Sequence, residues 1–296
     1  MKLALGTVQF GQSYGVANKA GQVPAAEAKA ILEYAVLNGI SMLDTAIGYG
    51  DSEQRLGDIG ISDWQVVSKI PAVPEGCGDV GDWVIKSVEG SLQRLGIRRL
   101  YAVLLHKPQQ LLGADGGQIY AGMQQLKESG LVQRIGVSIY DPAELDELFR
   151  GYAFDVVQAP FNLLDRRLIY SGWMSRLATK GTELHVRSIF LQGVLLMPPG
   201  DRPAKFDRWQ VHWSAYDEWV RSCELTPLQA CVRYSLSFPE ISRVIVGVDF
   251  AHQLQEIVNS QDGVALDPPQ SFRITDVDLL EPSRWNNEYG SKTKYV

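Results

Sequence analysis

The sequence predicts an α/β protein folded as one closed barrel of eight parallel strands, a single (β/α)8 or TIM barrel spanning residues 1–296. Three observations carry this. Short apolar runs alternate with stretches of helical period eight times along the chain. Such alternation implies parallel neighbours, because parallel strands need a crossover between them. The eight units follow one another without a linker, a short-period repeat or a low-complexity segment, and together they have the length of one barrel. The other architecture that this alternation permits is an open, doubly wound sheet. No GxGxxG follows the first apolar run, so that alternative lacks its usual dinucleotide fingerprint.

Each element has its own signal. Residues 3–5 form the first strand, ending at Gly6 and Thr7, and the Gly-rich stretch after Phe10 reads as loop. Ala28, Ile31, Leu32, Ala35 and Val36 share a helical face, closed by Asn38 and Gly39, which tolerate left-handed backbone. Residues 40–43 are the second strand, and Ser52 reads as the N-cap of a short helix around 54–58. The third strand, 65–68, ends at Lys69, and Ile85, Val88, Leu92 and Leu95 mark the helix after it. The fourth strand, 100–105, ends at His106, and a helix through Tyr120, Met123 and Leu126 follows. The fifth strand, 134–137, ends at Ser138, and Asp141-Pro142 reads as an N-cap and first-turn proline for a helix through Leu145 and Leu148. The sixth strand is 155–158. A helix at 172–179 leads to the seventh, 183–189. Residues 198–210 hold three prolines and five charges and read as an exposed excursion. Helices at 214–223 and 226–237, a strand at 243–246 and a helix through Leu254 and Ile257 complete the pattern. Residues 261–296, with Trp285 and Tyr289, read as a tail placed to line a substrate pocket.

Composition narrows the function. The net charge is -6 and no basic stripe stands out, so neither nucleic acid nor an anionic membrane surface is an expected partner. Three cysteines without CxxC spacing and four histidines give no support to a metal site. The cysteines read as small apolar side chains in a reducing compartment. With no signal-peptide pattern and no uncharged membrane-length window, the expected location is cytoplasmic.

The chemistry is expected where the strands end. In a parallel barrel all strand C-termini share one rim, where such enzymes keep their active sites. Asp44, Lys69 and His106 end three neighbouring strands, and Tyr49 sits in the loop after the second, bounded by Gly48 and Gly50. A phenol has a pKa of about 10 and is a poor acid near neutrality. A lysine ammonium beside it is expected to lower that value, and a carboxylate keeps the lysine charged. Tyr49 can then give a proton to a carbonyl oxygen becoming an alkoxide, with His106 orienting the carbonyl. No side chain supplies a hydride, so the set implies a nicotinamide cofactor.

These residues resemble the aldo-keto reductases. The matching segments are LGTVQFG, LDTAIGYGDSEQRLG, VVSKI, LLHKP, GLVQRIGVS, QAPFNLLDRR, SIFLQGVLL and VIVGVDFAHQLQE, in the family's order. The resemblance implies reversible reduction of an aldehyde, ketone or sugar-like carbonyl with NADPH or, less often, NADH. By matching motif, Tyr49 is the proton donor, Lys69 and Asp44 its tuning pair, and His106 the substrate orienter. Ser138, Gln158 and Asn162 match positions near the carboxamide and nicotinamide. Ser188, Phe190, Gln192 and Gly193 fall in one cofactor loop, and Gly247, Asp249, Gln253 and Glu256 in another; Gly6, Thr7 and Arg187 complete the expected contacts. Three residues depart from the pattern. Ile139 stands where an asparagine is common, and Arg187 where an aromatic residue often stacks on the nicotinamide. Asp249 stands where NADPH users place Arg or Lys, and a carboxylate repels a 2′-phosphate but accepts a bond from a free ribose hydroxyl. NADH is therefore expected to serve at least comparably with NADPH.

Other candidates carry blander readings. His185, His212 and His252 read as structural, and Arg166-Arg167 as a solvated pair. Phe10, Tyr14 and Trp285 are placed to wall the substrate pocket. The competing function is a nucleotide-binding regulatory subunit of the same fold with little turnover.

Overall fold

A computed structural model describes residues 1–264 and 266–285. Eight parallel strands close a barrel in sequence order. They are β1 (Leu3–Gly6), β2 (Met42–Asp44), β3 (Gln65–Ile70), β4 (Leu100–Leu105), β5 (Val132–Ser138), β6 (Val156–Pro160), β7 (Glu183–Arg187) and β8 (Ile241–Gly247). The helices are α1 (Val8–Gly11), α2 (Ala25–Leu37), α3 (Ser52–Ile59), α4 (Val80–Leu95), α5 (Gly116–Glu128), α6 (Glu144–Gly151), α7 (Arg167–Tyr170), α8 (Trp173–Thr179), α9 (Gln210–Ser222), α10 (Pro227–Leu236), α11 (Ala251–Asn259) and α12 (Val277–Leu280). None of the described helices is long and apolar enough to cross a membrane.

The core has two shells, as a strand with side chains alternating between faces requires. Ala4, Met42, Val67, Ala102, Leu104, Val156 and Ile245 fill the barrel interior, while the opposite faces pack under the helices. Period two then fixes the rim. Asp44 lies two residues beyond Met42, Lys69 two beyond Val67, His106 two beyond Leu104, Gln158 two beyond Val156, and Gly247 two beyond Ile245. All of them therefore share the inward orientation at the C-terminal mouth. The register agrees, pairing Asp44 with Val67 and Lys69 with Leu104.

The differences from expectation have local causes. The second strand starts at Met42, because the Ile40 amide still bonds back to the Ala35 carbonyl at the end of α2. Val36 is exposed, not on the buried face of α2. Ser52 does not cap α3; the N-cap is Asp51, and the Ser52 hydroxyl turns inward to the Thr7 carbonyl at 2.9 Å. Asp141 and Pro142 form a turn ahead of α6, which starts at Glu144, and the Asp141 carboxylate accepts from the Ala143 amide. The 198–210 excursion is two 3-10 turns, and its Phe206 and Trp209 are buried. Arg166 and Arg167 are not solvated. Arg166 is 4% exposed and donates to the carbonyls of Leu163, Pro268 and Pro269; Arg167 pairs with Asp165, Asp141 and Glu281.

Candidate active site

The rim residues come together around one buried ion pair. Lys69, fully buried, donates to Asp44 Oδ1 at 2.6 Å, to the Thr45 carbonyl at 2.8 Å and to Tyr49 Oη at 3.3 Å. The second Asp44 oxygen accepts from Gln158 Nε2 at 2.6 Å, and Gln158 in turn accepts from Ser138 Oγ at 3.1 Å. The His106 ring meets the Tyr49 ring edge-on, with centroids 5.8 Å apart.

Two glycines let the chain carry Tyr49 to this place. A Cβ on Gly11 would sit 1.7 Å from the Tyr49 carbonyl oxygen, and one on Gly50 would sit 2.2 Å from the Gly11 carbonyl oxygen. Gly50 also needs left-handed backbone, φ +55. So α1 and the loop after β2 touch backbone to backbone, a contact only glycine permits. Thr7, Thr45 and Ser52 lock the same corner through a hydroxyl cluster.

Electrostatics departs from expectation at the phenol. The lysine was expected to lower its pKa; instead burial, and then the Asp44 charge, push Tyr49 above its ordinary value of 10, with Arg187 opposing. Desolvation disfavours the phenolate more than the nearby cations favour it. Burial likewise lowers Lys69, against the pull of Asp44. His106 is pushed down to about 2, by burial first and then by Lys69, Arg187 and Lys107. Burial thus favours the uncharged form of both groups, a protonated phenol and a neutral imidazole.

Tyr49, His106 and Asp44 open into a cavity of about 450 Å³. Gly6, Thr7, Arg187, Ser188, Phe190, Gln192, Gly193, Gly247, Asp249, Gln253 and Glu256 line it too. Ser138, Gln158 and Asn162 do not; they lie one layer beneath, Gln158 on Asp44 and Asn162 donating to the Ser188 carbonyl at 3.1 Å. Of the aromatics expected at the pocket wall, Tyr14 lines the cavity. Phe10 is fully buried in the core, and Trp285 packs on Phe206 and donates to the Asp278 carbonyl. No described residue of the tail lines the cavity, and Tyr289 lies outside the described residues.

The loop after β1 straddles the cavity. Asn18 Nδ2 donates to Asp249 Oδ1 at 3.0 Å, and Gln192 Nε2 to Tyr14 Oη at 3.1 Å. Beneath it, Ser188, Leu191 and Gln192 adopt positive φ without being glycine, a strain of about 1–3 kcal/mol each that clusters at ligand-binding loops. Sequence reasoning missed Gln9, Asn18 and Tyr140, all cavity-lining. Tyr140 had a signal, since it lies two residues past a strand-end serine and so returns over the rim. Gln9 and Asn18 had none, because their positions depend on the fold of an irregular loop. Among the described residues no group of His, Cys, Asp and Glu could hold a metal ion.

Known proteins share this sequence pattern and this fold. The sequence matches the profile of the Aldo/keto reductase family over residues 2–278. It is 32% identical over 127 residues to 2,5-diketo-D-gluconic acid reductase B of Corynebacterium sp., a match covering 41% of this chain and 44% of that relative, less than half its length. It is 24% identical over 299 residues to a protein of Oryza sativa described as a voltage-gated potassium channel subunit beta, covering 89% and 90%. Among solved structures, an aldo-keto reductase of Bacillus halodurans in its holo form superposes with a TM-score of 0.71 at 19% identity, covering 90% of this chain and 88% of that one; this likeness speaks to the fold alone. One from Pseudomonas aeruginosa superposes with a TM-score of 0.65 at 25% identity, covering 88% of each chain. With the family profile matched across almost the whole barrel, this chain belongs to the aldo/keto reductase family.

Proposed function

We propose that this protein reduces an aldehyde, ketone or sugar-like carbonyl with NADH or NADPH, and that Tyr49 delivers the proton. The observation that carries the reading is the 3.3 Å approach of Lys69 Nζ to Tyr49 Oη, backed by Asp44 and opening into the cavity. The cavity suits a dinucleotide in its chemistry. Gln9 Oε1 and Gln192 Oε1 are buried acceptors without a partner, and carboxamide N–H and ribose O–H groups would satisfy them. Ser188 to Gly193 and Gly247 to Glu256 would hold such a group. When bound, a reduced nicotinamide supplies the hydride that no side chain can.

The protein's own residues do the rest. Tyr49 stays protonated through the working range, so it holds its proton on Oη and points it at the carbonyl oxygen. As charge develops there, proton transfer from Tyr49 is downhill, and the Lys69 ammonium stabilises the phenolate left behind. His106, neutral, offers a hydrogen bond to the same oxygen and fixes its orientation. Asp44 and Gln158 hold the lysine so that it need not reorganise. Asp249 supports NADH at least on a par with NADPH, since a carboxylate repels a 2′-phosphate and accepts a hydrogen bond from a free ribose hydroxyl.

The experiment is a titration of NADH and NADPH by quenching of tryptophan fluorescence, then a carbonyl screen at the nicotinamide absorbance. Cofactor binding with turnover supports the reading. The near full-length likeness to a channel β subunit favours one alternative, a nucleotide-binding regulatory subunit. Tight binding with no turnover on a broad panel would establish that alternative instead. A hundredfold preference for NADPH would reject the NADH part.

A further inference from the structure

Arg187 is an uncompensated cation at the reacting end of the cavity. It ends β7 on the inward face, two residues beyond buried His185, and lines the same cavity as Tyr49 and His106. Its guanidinium lies over the Tyr140 ring, 4.6 Å from the centroid. It donates Nη2 to the Ile139 carbonyl at 3.1 Å and Nη1 to Ser188 Oγ at 3.3 Å. All three partners are neutral. Among the described residues no carboxylate lies within salt-bridge distance of it, although seven other arginines make carboxylate ion pairs outside a turn of their own helix or do so in networks.

Charge accounting at this end leaves a surplus. Asp44 and Lys69 neutralise each other in direct contact, and Gln158 occupies the remaining Asp44 oxygen. Tyr49 and His106 are neutral, as derived above. The other acids of the cavity belong to the β8–α11 side, where Asp249 is engaged by Asn18. Arg187 is half-buried in the cavity wall, so its guanidinium is open to a counter-ion that enters the cavity. The stack on Tyr140 and the two hydrogen bonds hold the planar fork in place without neutralising it, which is how arginine is pre-organised for a two-oxygen partner.

We propose that Arg187, steadied by Tyr140, is the specificity residue for a substrate that carries an oxyanion, carboxylate or phosphate, on the same small molecule as its carbonyl. This rests on the oxidoreductase reading only for the carbonyl half of the substrate; the anion half stands on the geometry of β7 and the loop after β5.

The test uses two matched pairs, succinate semialdehyde against butanal and glyceraldehyde phosphate against glyceraldehyde. They separate a carboxylate from a phosphate source. The expected result is a preference of at least about tenfold in kcat/KM for one anionic member over its neutral partner, about 1.4 kcal/mol. Arg187→Met brings that ratio below about threefold, chiefly through KM, and Arg187→Lys keeps part of it because charge remains while the fork is lost. Calorimetric titration with succinate and with inorganic phosphate reads the anion site without turnover: one of them binds the wild type and is weakened at least about tenfold, 1.4 kcal/mol, in Arg187→Met. If no carbonyl is reduced but this binding difference holds, the oxidoreductase reading fails and the anion site stands. Equal use of charged and neutral members overturns the proposal. So does an Arg187→Met protein whose charge preference is intact while its affinity for the dinucleotide drops, since the guanidinium then serves the cofactor.

Discussion

Replacing Lys69 with methionine separates the two things this lysine does. Its stem is fully buried, and its ammonium touches Asp44 Oδ1, the Thr45 carbonyl and Tyr49 Oη. Methionine fills nearly the same volume, so packing changes little. What is lost is the charge, and Asp44 is left 4% exposed with Gln158 as its remaining side-chain donor. Removing one partner of a buried ion pair costs roughly 3–5 kcal/mol, most of it the stranded charge. Lys69→Met is therefore expected to lose about that much stability in urea unfolding. Asp44→Asn in the same chain should return most of it, because an amide can stay buried against Gln158 without a counter-ion. Turnover should not return: the phenolate formed by proton donation has lost its cation, a loss of roughly 10²–10⁴ in kcat. Urea unfolding and initial rates at the nicotinamide absorbance, read on the four proteins of this cycle, check both halves. A single Lys69→Met variant that keeps turnover within about threefold would falsify the role given to the ammonium. A double variant no more stable than the single one would show that the stranded carboxylate is not the source of the cost.

Other outcomes follow from the same geometry. Gly11→Ala puts a methyl 1.7 Å from the Tyr49 carbonyl oxygen, so the loop carrying the phenol must move; a loss of about 1–3 kcal/mol in stability and a fall in kcat are expected, while Gly21→Ala, with nothing within 4 Å but left-handed backbone, should touch stability alone. His106 has its folded pKa lowered from 6.5 to about 2, so the unfolded chain binds a proton that the folded one refuses; stability is intact above pH 6.5 and falls as pH drops below it, by up to about 1.4 kcal/mol per unit, and His106→Gln should flatten that slope in unfolding curves taken between pH 4 and 7. Asp249→Arg should move the ratio of kcat/KM for NADPH over NADH upward by at least about tenfold, because it replaces a repulsive charge by an attractive one; an unchanged ratio would remove Asp249 from cofactor selection.

Much of this site was legible in the chain, and the reason is the barrel's alternation. Asp44, Lys69, His106 and Gly247 follow buried inward-facing residues by two, so strand position alone aims them into the mouth. The fourth strand shows the signal at its clearest: LYAVLL is buried at all six positions, and its expected and observed bounds coincide. Where a residue's environment is set by loops, sequence reasoning failed. Phe10 lies in a polar, Gly-rich stretch, yet α1 folds it into the core. Arg166 looks like a surface charge, and the return of residues 268 and 269 gives it two of its three carbonyl partners. The phenol's raised pKa was missed for a related reason. Residue types show which charges are near, but the sign depends on how much water is excluded, and that is a property of the closed cavity.

The most direct test of the central claim is a Tyr49→Phe protein, which removes one oxygen and leaves the ring against His106. Pre-steady-state reduction of a carbonyl that the wild type accepts, read at the nicotinamide absorbance, would be paired with dinucleotide titration by tryptophan fluorescence. The account predicts a fall of roughly 10²–10⁴ in the rate of the chemical step with dinucleotide affinity within about threefold of wild type. A variant that reduces the carbonyl at a rate close to that of the wild type would contradict it, for the proton would then be coming from elsewhere.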